Sequence, residues 1–154
     1  MTKQVTKKNK NINPDTICAV GDFKELTKIR DFVFARAVDR GFSEGDAQKI
    51  VLAVDEACTN LIEHAFKLDK SRKICVTIEF DPNTFTVNII DDGMPFDPMV
   101  VSTPDMDQYF KQFKKGGLGI HLMRSVMDEI TYQPASSRND SKNILRLSKQ
   151  IASA

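Results

Sequence analysis

An α+β domain, with a mixed, mostly antiparallel sheet and helices layered on one of its faces, is the architecture this sequence predicts. Three observations predict it. Apolar residues recur at three- and four-residue steps through residues 23–37 and 47–65. They recur at two-residue steps through 74–80 and 85–89. The order of elements along the chain reads β-α-α-β-β-loop-α-β-β, which suits a sheet covered by helices. The 154 residues are one ordinary domain's worth, long enough to bury roughly 70% of the unfolded surface. We take residues 1–11 as a basic tail, 12–150 as the single domain and 151–154 as a short tail.

Ile12 to Val20 reads as a strand, interrupted by Asn13-Pro14-Asp15. Gly21 and Asp22 open a helix in which Phe23, Leu26, Ile29, Val33 and Ala37 share a face, and Gly41 ends it. Ser43-Glu44-Gly45-Asp46 resembles a capping box with Asp in place of Glu. Behind it Ala47, Ile50, Val51, Val54, Cys58, Leu61, Ile62 and Ala65 form one apolar stripe. Ile74, Val76, Ile78 and Phe80, then Phe85, Val87 and Ile89, form a hairpin across Asp81-Pro82-Asn83-Thr84. Met94 to Lys115 has no sustained period and carries three prolines, and a loop of that length in a compact domain is usually functional or mobile. A third helix places Ile120, Met123, Val126 and Met127 on one side, and strands near 129–134 and 143–149 complete the sheet.

Composition narrows the function classes. Lys plus Arg number 22 and Asp plus Glu 21, a net charge of +1. No single-sign field exists to draw the chain onto nucleic acid or a membrane surface. Trp is absent and Tyr occurs twice, so a base-stacking platform is not suggested. Cys18, Cys58 and Cys75 are odd in number and without C-x-x-C spacing. Each lies in an apolar run, so all three are expected as buried free thiols. The basic start lacks the apolar core of a signal peptide, and no apolar run approaches the ~18 residues of a membrane span. A cytoplasmic protein is expected.

Three local constellations could carry chemistry. At about 100° per residue, Glu56 lies about 180° and Asn60 about 220° from the middle of the second helix's apolar stripe. The two are stacked one turn apart on the face opposite the sheet, with His64 a turn further on. A Glu and an Asn are ordinary on a solvent face. Asn is nevertheless a poor helix former, and its neighbours Ala57, Cys58 and Thr59 are small and uncharged. Ile89-Ile90-Asp91-Asp92-Gly93-Met94-Pro95-Phe96-Asp97-Pro98 ends an apolar strand in a carboxylate followed by Gly. Asp-Gly makes turns well, and an acceptor at a sheet's end beside flexible backbone is the other reading. The residues after Gly93 exclude an EF-hand. Lys114-Lys115-Gly116-Gly117-Leu118-Gly119-Ile120-His121-Leu122-Met123 sets glycines just before a helix. A hinge and an anion site at the helix N-terminus both remain open there. His64 is expected as a packed or hydrogen-bonded structural residue, and no histidine spacing supports a metal site.

In combination these constellations resemble the GHKL, or Bergerat-fold, ATP-binding domains. The resembling stretches are Val54 to Ala65, Asp91 to Pro98, and Gly116 to Met123 with Val126-Met127-Asp128-Glu129. Within that superfamily the chain is most similar to the single-domain anti-sigma-factor serine/threonine kinases. The resemblance implies a two-layer α/β sandwich of the histidine-kinase-like type, with ATP and Mg²⁺ as ligands. It makes Glu56 the general base, Asn60 the Mg²⁺ ligand and Asp91 the acceptor for the adenine amino group. Gly93 then lets adenine approach, and Gly117, Leu118 and Gly119 meet the phosphates, with Lys114 and Lys115 as further phosphate contacts. An ATP lid corresponds to about 99–115. Pro95 departs from the wider pattern, which often has Gly there, and Pro offers no N–H.

The implied function is an ATP-binding anti-sigma regulator that phosphorylates an anti-anti-sigma partner on Ser or Thr and holds a sigma factor. The resemblance implies a homodimer, without direct nucleic-acid or membrane contact. Two alternatives stand beside it: a nucleotide-gated protein-binding regulator without phosphotransfer, and a detached histidine-kinase-type catalytic domain.

Overall fold

Residues 15–97, 116–139 and 141–151 are described by the structure, a computed structural model. The tail at 1–11, the lid at about 99–115, Lys114 and Lys115 lie outside the described residues. The elements are β1 (Thr16–Val20), α1 (Leu26–Asp39), α2 (Glu44–Asn60), β2 (Lys73–Phe80), β3 (Thr84–Asp91), α3 (Gly116–Val126), β4 (Glu129–Gln133) and β5 (Asn143–Gln150). A single 3₁₀ turn at Phe23–Glu25 precedes α1, and a π turn at Leu61–Ala65 prolongs α2.

The end signals act as their chemistry requires. Asp22 caps the 3₁₀ turn by accepting the Lys24 N–H at 3.1 Å. Gly41, at φ +102°, turns the chain out of α1 in a conformation that L side chains rarely adopt. Ser43 Oγ accepts the Asp46 N–H at 3.1 Å and starts α2. In the β2–β3 hairpin, Asp81 Oδ1 accepts the N–H groups of Asn83 and Thr84 at 2.7 and 2.8 Å.

The strands line up in the order β1-β2-β3-β5-β4. All four pairings are antiparallel, so the parallel component expected of a mixed sheet is not found among the described strands. The reason lies in β5. Strands β3 and β4 run in the same direction on either side of α3, but β5 inserts between them and pairs with both.

On the helix side of the sheet, Ile74, Val76, Ile78, Phe85, Val87, Ile89, Leu145 and Leu147 are buried. They meet Leu26, Ile29 and Val33 of α1, Ile50, Val54 and Cys58 of α2, and Met123 of α3. Each such side chain contributes about 1.5–3 kcal/mol by leaving water. Ile151 is half-buried and its N–H reaches the Asn83 carbonyl at 2.8 Å, so ordered packing runs one residue past the expected boundary at 150.

The cysteine expectation is overturned for two of the three residues. Cys58 is a buried free thiol, whose pKa is driven up chiefly by burial and then by the Asp55 carboxylate. Cys18 and Cys75 instead form a disulfide. Alternation with the inward Ala19, Ile74 and Val76 sets both on the outer face of the sheet, and the β1–β2 register puts them directly opposite.

One aromatic ring joins three ends of the fold. The π turn closes with the Phe66 N–H donating to the Leu61 carbonyl at 2.8 Å and leaves the Phe66 ring between two glycines. A Cβ on Gly21 would lie 2.6 Å from one edge of that ring, and a Cβ on Gly93 would lie 2.6 Å from the other. The ring thereby sets the distance between the end of β1, the end of α2 and the segment after β3.

Two outcomes follow from this packing. Phe66→Ala should lose about 3–5 kcal/mol of stability, and Gly21→Ala about 1–3 kcal/mol through overpacking. Urea denaturation measures both, and the Gly21→Ala penalty should shrink in a Phe66→Leu background. In denaturant without reductant, thiol titration should count one reactive sulfur, Cys58, and three after reduction.

Candidate functional site

The end of β3 places a carboxylate where an apolar residue would be expected. Asp91 keeps the inward parity of Phe85, Val87 and Ile89, so its side chain lies on the helix side and is buried. Its register partner on β5 is Asn143, itself 1% exposed. Asn143 Nδ2 donates to Asp91 Oδ1 at 3.1 Å and to the Gly93 carbonyl at 2.9 Å, while its Oδ1 accepts the Ala135 N–H at 2.8 Å. The Gly93 N–H also donates to Asp91 Oδ1, at 2.8 Å. Both of these bonds fall on Oδ1, which leaves Oδ2 to accept from a ligand. Burial raises the Asp91 pKa above the ordinary carboxylate value. Asn143 and Gly93 oppose that rise, Asp92 adds to it, and Lys142 opposes it.

Above Asp91 lies a narrow cleft between α2, α3 and the sheet. Ala57, Asn60 and Leu61 line it from α2, and Met123 lines it from α3. Tyr132 and Leu145 contribute from β4 and β5, and Phe96 from the segment after β3. The walls are mostly apolar, with Asp91 and Asn60 as convergent polar groups, the composition of a small-molecule site.

Asn60 does not stand on a solvent face. It is 3% exposed, because α3 packs against α2 and extends the buried sector past Ala53 and Ala57. Among the described residues its Nδ2 is buried without a hydrogen-bond partner, a costly state for an amide and one that a bound group would relieve. The amide also offers an oxygen, a hard ligand that suits Mg²⁺ when phosphates and water supply the remaining positions. The donor set therefore fits a magnesium-bound nucleotide. Glu56, one turn earlier, is half-buried and is not among the described residues that line the cleft.

Gly93 lies beside the cleft, yet the ring that forbids it a side chain is Phe66. Gly116 to Gly119 form the first turn of α3 rather than a loop ahead of it. That places Gly117, Leu118 and Gly119 at a helix N-terminus, where backbone N–H groups are available to an anion. His64, expected to be packed or hydrogen-bonded, is 47% exposed at its side chain and stacks on Phe96. His121 is exposed.

Sequence reasoning missed Tyr132, Met123 and Leu145 as cleft residues and Asn143 as the partner of Asp91. Phe96 stood within a quoted stretch but had no role. Tyr132 Oη accepts the Phe96 N–H at 2.9 Å. Burial first, and the Asp91 and Asp97 carboxylates after it, raise the tyrosine's pKa and keep the phenol protonated. These contacts bridge 36 to 52 residues of chain, which no local pattern records.

Residues 21–149 match the family described as the histidine kinase-like ATPase domain. The chain belongs to that family. This histidine kinase-like ATPase domain is similar to the serine-protein kinase RsbW of Bacillus licheniformis, at 32% identity over 97 residues. The RsbW of Bacillus subtilis is likewise 32% identical, over 98 residues. Each match covers 60% of this chain and 61% of the relative, so the chain spans about three-fifths of the relatives it matches. The fold is also similar to a chain in the crystal structure of the SiaB–SiaC complex from Pseudomonas aeruginosa, with TM-score 0.56, 12% identity and 97% of both chains covered. No helix among the described residues is long and apolar enough to cross a membrane.

The raised Asp91 pKa has a defined pH signature. The folded state holds this proton more tightly than the unfolded chain, so the carboxylate's contribution weakens stability as pH rises through the raised pKa. Asp91→Asn should therefore be at least as stable as the native chain at about pH 7, with the gap closing toward about pH 4. Urea denaturation of both proteins across that range checks the sign.

Proposed function

We propose that this chain is an ATP-dependent protein serine/threonine kinase that restrains a sigma factor and phosphorylates the anti-anti-sigma protein that competes for it. The observation that carries the reading is the buried Asp91 carboxylate, open at Oδ2, at the base of an apolar cleft that also holds Asn60, whose Nδ2 has no hydrogen-bond partner among the described residues. The family and the serine-protein kinase relatives support it.

Each residue then has a task. Asp91 Oδ2 accepts the exocyclic amino group of adenine, and the cleft's apolar walls exclude water from the base. Asn60 holds Mg²⁺ through its amide oxygen, and the first turn of α3 at Gly117 to Gly119, with Lys114 and Lys115, meets the phosphates. Bound Mg²⁺ supplies neutralisation of charge on the transferring group. Glu56 takes the proton from the partner's Ser or Thr hydroxyl as that oxygen bonds to the γ-phosphorus of ATP and the bond from that phosphorus to the β–γ bridging oxygen breaks, releasing ADP. Positioning and charge stabilisation provide most of the rate in phosphoryl transfer, so few protein groups are required. The new phosphate adds about two negative charges to the partner, disfavours its complex with this chain, and frees the chain to hold the sigma factor.

Incubation with radiolabelled ATP, Mg²⁺ and small Ser/Thr-bearing proteins encoded nearby tests the proposal. Acid-stable phosphate should appear on one of them. Glu56→Gln should slow transfer by about 10²–10⁴-fold while retaining ATP affinity, whereas Asp91→Asn should lose ATP binding itself. Nucleotide-dependent partner binding that never yields phosphate, and is indifferent to Glu56→Gln, would instead make this a nucleotide-gated regulator.

A further inference from the structure

The histidine on the π turn stands outside the roles assigned above, and its position relative to the cleft gives it one. Phe96 forms a wall of the cleft from a segment that belongs to no strand or helix, so no ladder of backbone bonds orients its ring. The structure instead holds Phe96 from two sides. On one side its N–H donates to Tyr132 Oη at 2.9 Å. On the other its ring lies 5.1 Å from the His64 imidazole, with 15° between the planes, an offset-stacked arrangement that aromatic pairs favour.

His64 reaches Phe96 from the turn in which α2 changes its winding. The Phe66 N–H bonds to Leu61, five residues back, rather than to the residue four back. Such an inserted turn delays every following side chain relative to a continued α-helix, and π turns often occur at functional sites. From this turn the His64 ring reaches the segment after β3, where it stacks on Phe96. The Glu63 carboxylate lies 3.8 Å from His64 Nε2 at the surface.

We propose that His64 is a positioning residue for the nucleotide base, acting through Phe96. The imidazole backs the Phe96 ring, Tyr132 fixes its backbone, and together they keep a flat apolar wall beside the Asp91 acceptor. The ligand class that such a wall and acceptor select is a planar heteroaromatic base bearing an amino group. This proposal rests on the reading of the cleft as the ATP site.

Isothermal titration of the full chain with Mg·ATP, alongside steady-state phosphotransfer, tests it. His64→Ala should weaken Mg·ATP binding by about three- to tenfold, the range expected for losing one aromatic stacking contact. KM should rise by the same factor while kcat stays within about twofold. His64→Phe, which keeps a stacking ring, should restore affinity to within about twofold of the native chain. In a Phe96→Ala background, His64→Ala should add nothing further, since its effect passes through that ring. Native binding with undiminished affinity in His64→Ala, or a His64→Phe protein as weak as His64→Ala, would overturn the positioning role alone. A native chain that does not bind Mg·ATP would remove the nucleotide reading and this inference with it.

Discussion

A carboxylate on the inner face of the sheet is the constraint around which this structure is arranged. Asp91 continues the apolar alternation of β3, and a buried ionised group is tolerated only when hydrogen bonds replace its water. Asn143 supplies one from the facing strand, and in doing so ties the ends of β3 and β5 to the backbone at Gly93 and Ala135. The group that best serves as a ligand acceptor is thus also the one whose burial works against the fold. Its raised pKa records that opposition.

Phe66 performs the complementary task of holding α2 and its π turn against the sheet ends. Sequence reasoning assigned Gly93 to the approach of a ligand, and its N–H and carbonyl bond to the Asp91 and Asn143 side chains. The packing gives the glycine a prior reason, since the Phe66 ring fills the space a side chain would occupy, and Gly21 is constrained by the ring's other edge. One residue thereby couples the floor of the cleft to the helix that bears Asn60. A ligand-binding glycine and a packing glycine need not be different residues.

Much of this was legible in the sequence, and what was not has identifiable causes. The 3.6- and two-residue periods located the helices and strands, because burial on one face is what those periods express. The inward parity of Asp91 could be read from Phe85, Val87 and Ile89 alone. The same parity, applied to Ile74, Val76 and Ile78, sets Cys75 outward and argues against a buried thiol there. Its partner Cys18 is 57 residues away, and strand pairing over that distance leaves no local trace. The burial of Asn60 could not be read because a single helix cannot show that α3 will cover a second sector of its surface. The π turn, the Phe96–Tyr132 hydrogen bond and the Asn143 network belong to tertiary structure in the same way.

The Cys18–Cys75 bridge also changes how the molecule would carry mechanical load. It closes a covalent ring containing both α1 and α2. Tension applied at the two termini passes from β1 into β2 through sulfur and bypasses the enclosed segment. The sequence separation of 57 amounts to roughly 190 Å of extended chain at about 3.3 Å per residue, a length that stays out of reach of a pulling force until the sulfurs part. The helix that holds Asn60 and Glu56 is therefore shielded from traction on the chain ends. Among the described residues, the start of β1 before Cys18 and the strands and helix beyond Cys75 are left to extend.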